Sequence, residues 1–470
     1  MLKFIIEKEL REIIGSRKFA VTFGICATLI VLAFYVGARN YQVSRAQYEA
    51  ALQENIRQMS DLTDWLMVEH RVFLPPEPLA ALVGGVSNDI GRNILMYGRG
   101  ELTAEDSRYG DDPIFAVFRF LDLEFIFTII LSLFAILFAY DAVNGEKERG
   151  TLRLTFANAI PKDSYILGKI IGAFLALGLP LMLAILIGSL LLPLMGVPMA
   201  GSDWAKLALI SLAGLLFFGV FLTLSVWISA LNRRSATAFL MMLVIWIFAV
   251  MIIPRSAVLL AGRSVDVLSV DEINAQKSRF RSQLWKEDKD KMKSFRPENK
   301  DDVQATVQQF QKFMQDLAEG REEKSRELSA RLQEQRRNGQ TVQENLALGL
   351  ARLSPAASFS LAATHLAGTS IAMKQDYLDA ANNYQQSYAN FMKEKTGGML
   401  REGGMIIRTI TEGEDAPPKI DPYEIPAFEY RSPELRESLA AALPDFGLLA
   451  LLNIICFAGA FFSFLRYDVR

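Results

Sequence analysis

Asp141-Ala-Val-Asn-Gly-Glu-Lys-Glu-Arg-Gly150-Thr-Leu-Arg-Leu-Thr-Phe-Ala-Asn-Ala-Ile-Pro161-Lys-Asp-Ser-Tyr165-Ile-Leu-Gly-Lys169 lies between two long apolar runs. It is too polar to sit in hydrocarbon and too short to fold as a domain. The spacing predicts a short charged helix over Asn144–Phe156, ending before Pro161. Glu146 and Glu148 near its start and Arg153 near its end suit the helix dipole. A plain solvated linker is the alternative. Against it stands economy: a few residues would suffice to join two adjacent spans.

Six runs are apolar for about the 20 residues that a bilayer crossing takes. They are 19–38, 123–140, 165–192, 205–231, 236–253 and 446–464. The 470-residue chain is 51% hydrophobic yet 22% charged, because these runs alternate with strongly polar regions. The first run is too long for a cleaved signal, and its charged leader is a full helix, so it reads as a signal anchor. Lys3, Lys8, Arg11, Arg17 and Lys18 precede it. Lys147, Arg149, Arg153, Lys162 and Lys169 fill the 141–169 segment, Arg233 and Arg234 follow run four, and Arg466 and Arg470 follow run six. The connection 193–204 has neither Lys nor Arg. The positive-inside rule therefore places both termini and the 141–164 loop in the cytoplasm, with 39–122 and 254–445 outside.

Residues 2–18 pattern as an amphipathic helix with Leu2, Ile5, Ile6, Leu10, Ile13 and Ile14 on one face. It reads as a helix lying in the membrane surface, either a simple anchor or an elbow that also touches a cytoplasmic partner. In the first outer region, helix continues past span one. Residues 65–73 suit a short strand, and Leu74-Pro-Pro-Glu-Pro78 breaks regular structure. In the second, Ser269-Val-Asp-Glu272 opens a helix as a capping box. From Asp301 the seam Val303, Val307, Phe310, Met314, Leu317 meets Arg321 and Lys324, which favours a helical hairpin or small bundle over a long uniform coiled coil. Further helices are expected at 342–353, 355–366 and 370–395, with 397–426 loop-like.

Chemistry is sparse. Gly145-Glu-Lys-Glu-Arg-Gly150-Thr has the glycine spacing of a phosphate-binding loop but lacks its Lys-Ser/Thr, so no ATP site is evident. No nucleophile elbow or paired-histidine zinc motif is present. His70 and His365 are isolated and read as packing or surface residues. Cys26 and Cys456 lie in apolar runs and read as core. A net charge of −2 gives no basic field for nucleic acid. The runs lack ionisable groups at mid-depth, whereas ion-coupled carriers place them there. Energy is therefore expected from elsewhere. Gly168-Lys-Ile-Ile-Gly172 is a small-x-x-x-small match for helix packing, and Pro180 predicts a kink.

Glu146-Lys-Glu-Arg-Gly150-Thr151-Leu152, then Pro161-Lys162, then Gly168-Lys169 resemble, in order, the loop between spans two and three of ABC-2 type exporter permeases. The resemblance covers about 1–38, 113–262 and the last span. The large insert and the closing Tyr467-Asp468-Val469-Arg470 resemble a subgroup with a big helical ectodomain between spans five and six. The resemblance implies an all-α integral membrane protein in a bacterial inner membrane, with an elbow helix (1–18), six spans and a mainly helical extracytoplasmic domain at 254–445. It implies an ATP-driven exporter in which two permease subunits, identical or sister chains, assemble with two ATP-binding cassette subunits that hold ATP and Mg²⁺. The permease itself would be non-catalytic, with no cofactor or metal of its own. Coupling would fall to Asn144, Glu146, Lys147, Glu148, Arg149, Gly150, Thr151, Leu152 and Arg153, with Arg233 and Arg234 as secondary contacts. The size of the outer insert keeps a second expectation open: a mechanotransmission complex that works on a periplasmic partner without moving a cargo. A receptor with the ectodomain as sensor is a third, and the missing cytoplasmic signalling domain weighs against it.

Overall fold

The computed structural model describes residues 2–87, 91–97, 102, 104–105, 122–157, 160–296, 303–396 and 419–466, excluding the side chains of 104–105, 303–308, 311 and 315. Helix α1 (Leu2–Ile14) precedes α2 (Arg17–Ser60), which holds the first apolar run. The second run is α3 (Leu123–Phe125), a π-helical turn at Ile126–Leu131 and α4 (Ser132–Ala139). The polar loop folds as α5 (Asn144–Glu148) and α6 (Thr151–Ala157). Helices α7 (Lys162–Leu194) and α8 (Gly201–Leu231) hold runs three and four. Run five is α9 (Ser235–Trp246), a second π-helical turn at Ile247–Ile252 and α10 (Ile253–Ser264). Then come α11 (Val270–Ser294), α12 (Val303–Ala351), α13 (Pro355–Ala367), α14 (Ala372–Thr396) and α15 (Leu435–Leu465).

Six of these helical stretches are long and apolar enough to cross a membrane. Leu179, Leu183, Leu186, Leu190 and Leu194 lie exposed along α7, a stripe that suits lipid rather than water. Helix α7 runs unbroken through Pro180. The chain thus has the expected fold class, an all-α multi-pass membrane protein. The tail 467–470, most of the loop expected at 397–426 and most of 98–121 lie outside the described residues.

The chain divides into two compact units, 1–254 with 351–470, and 255–350. In the first, α8 packs on α15, and α13 packs on both. Helix α13 was expected as an ordinary outer-region helix. Its small residues, Ala356, Ala357, Ala362 and Ala363, instead allow close approach on several sides, and nearly every residue is buried. Phe359 stacks on Phe217 of α8 at 5.4 Å and meets Phe127 of the first π-turn at 5.2 Å. The α13 N-cap, Ser354, donates to the carbonyl of Ala249 in the second π-turn, where wider helical turns leave carbonyls for outside donors. Trp246 Nε1 donates to Ser132 Oγ at 2.7 Å, joining runs two and five. Arg352 holds the fully buried Asp445 of α15 through two bonds of 2.7 and 3.1 Å.

Beyond its apolar run, α2 continues as a polar helix against a small antiparallel sheet, β1 (His70–Phe73), β2 (Asn93–Met96) and β3 (Ala104–Glu105). The strand expected over 65–73 is a 3₁₀ turn at Trp65–Met67, capped by Asp64, followed by β1. Helix α14 lays Met373, Tyr377, Ala381, Tyr384, Tyr388 and Met392 on this sheet at helical spacing. His70 stands at the junction. Tyr384 OH donates to the carbonyl of Pro426 at 2.6 Å, so at 3.0 Å it must accept from His70 Nε2. Nδ1 then faces the amide nitrogen of Asn55 at 3.5 Å. The neutral Nε2–H tautomer satisfies both neighbours, and burial pushes the imidazole pKa down to about 4. An unfolded histidine titrates near 6.5, so between about pH 6.5 and 4 the unfolded state binds more protons and stability falls as pH falls. The expected loss is at most about 3 kcal/mol across that window. His70→Gln, which keeps a donor but cannot titrate, should flatten this part of the pH–stability curve in thermal melts. An unchanged curve would show that His70 is not the titrating group.

The second unit is an antiparallel helical hairpin. Phe295, just past the end of α11, meets Phe310 and Phe313 of α12, at 5.3 and 5.0 Å. Lower down, Asp288 of α11 pairs with Arg321 of α12 at 2.9 Å. Lower still, Gly339 faces Val267, and Gly262 faces Gln343. Arg321, where the predicted seam seemed to fail, lies 4.2 Å over the Trp285 ring while holding the buried Asp288. At its base α12 continues without a break to Ala351, where a separate helix had been expected from Val342. At about 1.5 Å per residue, its 49 residues extend about 70 Å.

Candidate coupling site

The loop forms two short helices rather than one. Gly150, with φ of 76°, is the left-handed residue that ends α5, a conformation that costs a non-glycine residue about 1–2 kcal/mol. The redirected chain enters α6 with Thr151 Oγ1 donating back to the carbonyl of Glu146 at 3.1 Å.

Helix α5 is bolted to the membrane helices on two sides. On one side Asn144, fully buried, accepts from Ser229 Oγ of α8 at 3.0 Å, and Ser235 Oγ of α9 lies 3.2 Å from the same oxygen. Glu148 caps α9, accepting from Ser235 N at 2.9 Å and Ser235 Oγ at 2.8 Å. On the other side lies a charge cluster. Lys169 Nζ of α7, only 4% exposed, sits 2.9 Å from Glu9 of α1 and 3.0 Å from Glu146 of α5. Lys8 Nζ is also 3.0 Å from Glu146, Tyr165 OH donates to the other Glu146 oxygen, and Arg149 reaches Glu12 at 4.0 Å. Two carboxylates and two ammonium groups thus balance at the centre. Glu9, Glu12 and Glu146 bring ligand oxygens within 4.8 Å of one another, but the lysines already supply the cations.

Helix α1 reaches this cluster because Gly168 and Gly172 let it approach α7. A Cβ at Gly168 would lie 2.6 Å from Ile5, and one at Gly172 2.7 Å from Glu9. The pair read in the sequence as a packing motif thus serves α1. Helix α1 turns Ile5, Glu9 and Ile13 into the protein, so only the rest of its apolar residues remain to face lipid.

The candidate residues therefore divide. Asn144, Glu146 and Leu152 are buried, and Lys147 is half-buried. Glu148, Arg149, Gly150, Thr151, Arg153, Arg233 and Arg234 are exposed, with Glu148 committed to Ser235. The sequence reading missed two participants in the charge cluster, Glu9 and Tyr165. Leu154 is 70% exposed. Glu9 carried a legible signal: it is a charge in the middle of the apolar stripe Ile5–Ile13, as Lys169 is in an apolar run.

A sequence model of the ABC-2 family transporter protein matches residues 4–469. The chain belongs to this family: it is a membrane-embedded permease component of an ABC transporter, a non-catalytic transport subunit whose family implies an ATP-binding cassette partner. No curated protein matches it.

Breaking a buried ion pair from one side strands the other charge. Lys169→Met should destabilise the protein by about 3–5 kcal/mol, because Glu9 and Glu146 would face each other without their shared cation. Adding Glu9→Gln should recover part of that loss. Thermal unfolding in detergent measures both. Equal stability of Lys169→Met and wild type would show that the cluster does not fasten the loop.

Proposed function

We propose that the chain is the permease of an ATP-driven exporter in a bacterial inner membrane. Two permeases, identical or sister chains, would assemble with two ATP-binding subunits that carry ATP and Mg²⁺. Movement of those subunits pushes the 141–164 loop, and the spans respond by opening an outward path. The observation that carries this reading is the fastening of α5. A displacement of α5 pulls on α8 and α9 through Asn144 and Glu148, and on α7 and α1 through Glu146. A loose linker would absorb the push. Rigid fastening passes it to four helices at once.

Arg149, Arg153, Arg233 and Arg234 are the charged contacts for the motor in this reading. Glu146 serves as the inner bolt. Arg149→Glu with Arg153→Glu should leave folding intact and reduce transport at least tenfold in proteoliposomes carrying the ATP-binding subunit, while ATP hydrolysis persists. Normal transport by this double variant would reduce the loop to a linker.

The orientation rests on the positive-inside rule, with both termini and the loop cytoplasmic and 39–122 and 254–445 outside. Single cysteines at Ser202 and Gly320, in a chain freed of Cys26 and Cys456, should react with an impermeant thiol reagent added to intact cells or spheroplasts. Reaction only after the membrane is opened would invert the topology. The long α11–α12 hairpin favours a second reading, in which the same ATP cycle works a periplasmic partner and no cargo crosses. ATP-dependent cargo uptake into inverted vesicles decides between them.

A further inference from the structure

Glu124 is an acid buried without a counter-charge. It lies in the first turn of run two, 8% exposed, and its side chain has neither an ion pair nor an N–H donor among the described residues. The ionisable group that acts on it is another acid, Asp122. Asp122 has what Glu124 lacks. Its two oxygens accept from Phe125 N at 2.9 Å and from Gly84 N at 3.0 Å, bonds that favour the charged carboxylate. Ser360 of α13, 1% exposed, turns its hydroxyl toward the Glu124 carboxyl and meets no partner of full hydrogen-bond geometry.

One turn ties this acid pair to α13. Leu123 N donates to the carbonyl of Leu82 at 2.9 Å, and Gly84 N caps Asp122. Just beyond, Val86 N donates to the carbonyl of Thr369, and Thr369 Oγ1 donates to that of Val83, both at 3.0 Å. Thr369 directly follows Gly368, the left-handed cap of α13. Gly85, with φ of 48°, lets the turn come this close, since a Cβ there would run into the Thr369 carbonyl oxygen. With the turn closed, Ser360 lies against the acid and Phe359 against the π-turn that follows it. The surrounding elements bring no second charge to Glu124. The π-turn Ile126–Leu131 and residues 79–86 have no ionisable side chain. Near Gly37, where α2 touches Ala81, the inward titratable residue of α2 is Tyr41. On α13 the titratable residue is His365, Arg352 before it is closed on Asp445 of α15, and Lys206 of α8 donates to the carbonyl of Pro433.

We propose that Glu124 is a proton-binding site whose occupancy is linked to the seating of α13 on run two. A buried carboxyl without a counter-charge meets the cost of its charge by taking up a proton. A metal ion would need more ligands than one free carboxyl, a second already held by backbone N–H groups, and a hydroxyl. With α13 seated, Glu124 is the neutral acid, and its O–H has the Ser360 oxygen to donate to. When α13 lifts, water reaches the carboxyl. The O–H bond then breaks, its electron pair stays on the carboxylate and the proton passes to water. The charge left behind opposes reseating. The seated state thus binds one proton more than the lifted state, so rising pH favours lifting. The inference goes beyond the exporter reading and holds whatever the ATP cycle moves.

The test uses the full-length chain in lipid nanodiscs. At pH 6 the infrared spectrum of wild type minus Glu124→Gln should show the carbonyl band of a protonated carboxylic acid, shifted in heavy water and lost as pH rises. Asp122→Asn keeps a capping side chain but removes the neighbouring anion, and should move the loss of that band to lower pH by about one unit. Hydrogen–deuterium exchange of residues 355–367, corrected for its intrinsic pH dependence, should rise severalfold between pH 6 and 8.5 in wild type and stay level in Glu124→Gln. Absence of the acid band from wild type would overturn the proton site. Equal exchange profiles in wild type and Glu124→Gln would overturn the link to α13. If Glu124→Gln does not fold, Asp122→Asn decides both points: the band and the rise in exchange should move together to lower pH, and an unmoved pair sinks the proposal. Loss of the acid band on adding sodium or calcium at fixed pH would assign the site to a metal ion and overturn it as well.

Discussion

A lysine ammonium shut away from water needs its charge answered at hydrogen-bond distance, and Lys169 draws its answers from two other helices. That requirement organises the loop end of the molecule. Glu9 fixes the rotation of α1 about its axis, and Glu146 fixes the depth of α5. Gly168 and Gly172 are the steric condition for both, since any side chain there would lift α1 away from Lys169. Tyr165 and Lys8 use the remaining lone pairs of Glu146, so no face of that carboxylate is left dry and unpaired. Apolar packing alone would let α1 slide or roll on α7. Charge pairing specifies one register.

The opposite edge of α5 is held by hydroxyls and a helix N-terminus instead of lysines. Ser229 and Ser235 lie on separate helices; Ser229 donates to Asn144, and the one hydroxyl proton of Ser235 is shared between Asn144 and Glu148. Glu148 meets the bare N-terminus of α9, where backbone donors and the helix dipole favour an anion. Asn144 and Glu146 of α5 thus face inward, and the exposed Glu148 is committed to Ser235. Helix α6, by contrast, leaves Arg153 and Leu154 exposed. Gly150 makes the division possible by turning the chain between a fastened helix and a presented one.

Much of this was legible in the sequence. Six apolar runs and the segment between runs two and three fixed the class, because only helices satisfy their own backbone in lipid and polar segments must leave it. The short helix was placed within a few residues, but the break at Gly150 was not, since Gly-Thr-Leu also fits a helix interior that tolerates one glycine. The acid-rich start of the loop suggested an exposed charged surface. Glu146 is buried because of Glu9 and Lys169, and no local pattern joins positions 9, 146 and 169. The anomaly was visible only one residue at a time, as a charge on an apolar face. Arg321 followed the same logic: a flaw in a one-helix seam becomes a specific contact once Asp288 and Trp285 lie across from it. Burial of α13 was hidden by its composition, since alanine and serine serve equally in an exposed helix and a tightly packed one.

The two π-helical turns complete the physical picture away from the loop. Each lies in a membrane-crossing stretch, and each is used: Phe127 of one packs on Phe359, and Ala249 of the other accepts from Ser354. A π-turn has weaker internal hydrogen bonding than the α-helix on either side, so it is held in place by these outside contacts with α13. The same protein therefore combines two regimes. Charge clusters and buried hydroxyls hold the loop end. At the α13 end, widened turns and stacked rings hold the helices by shape, without ionic bonds between the π-turns and α13 among the described residues.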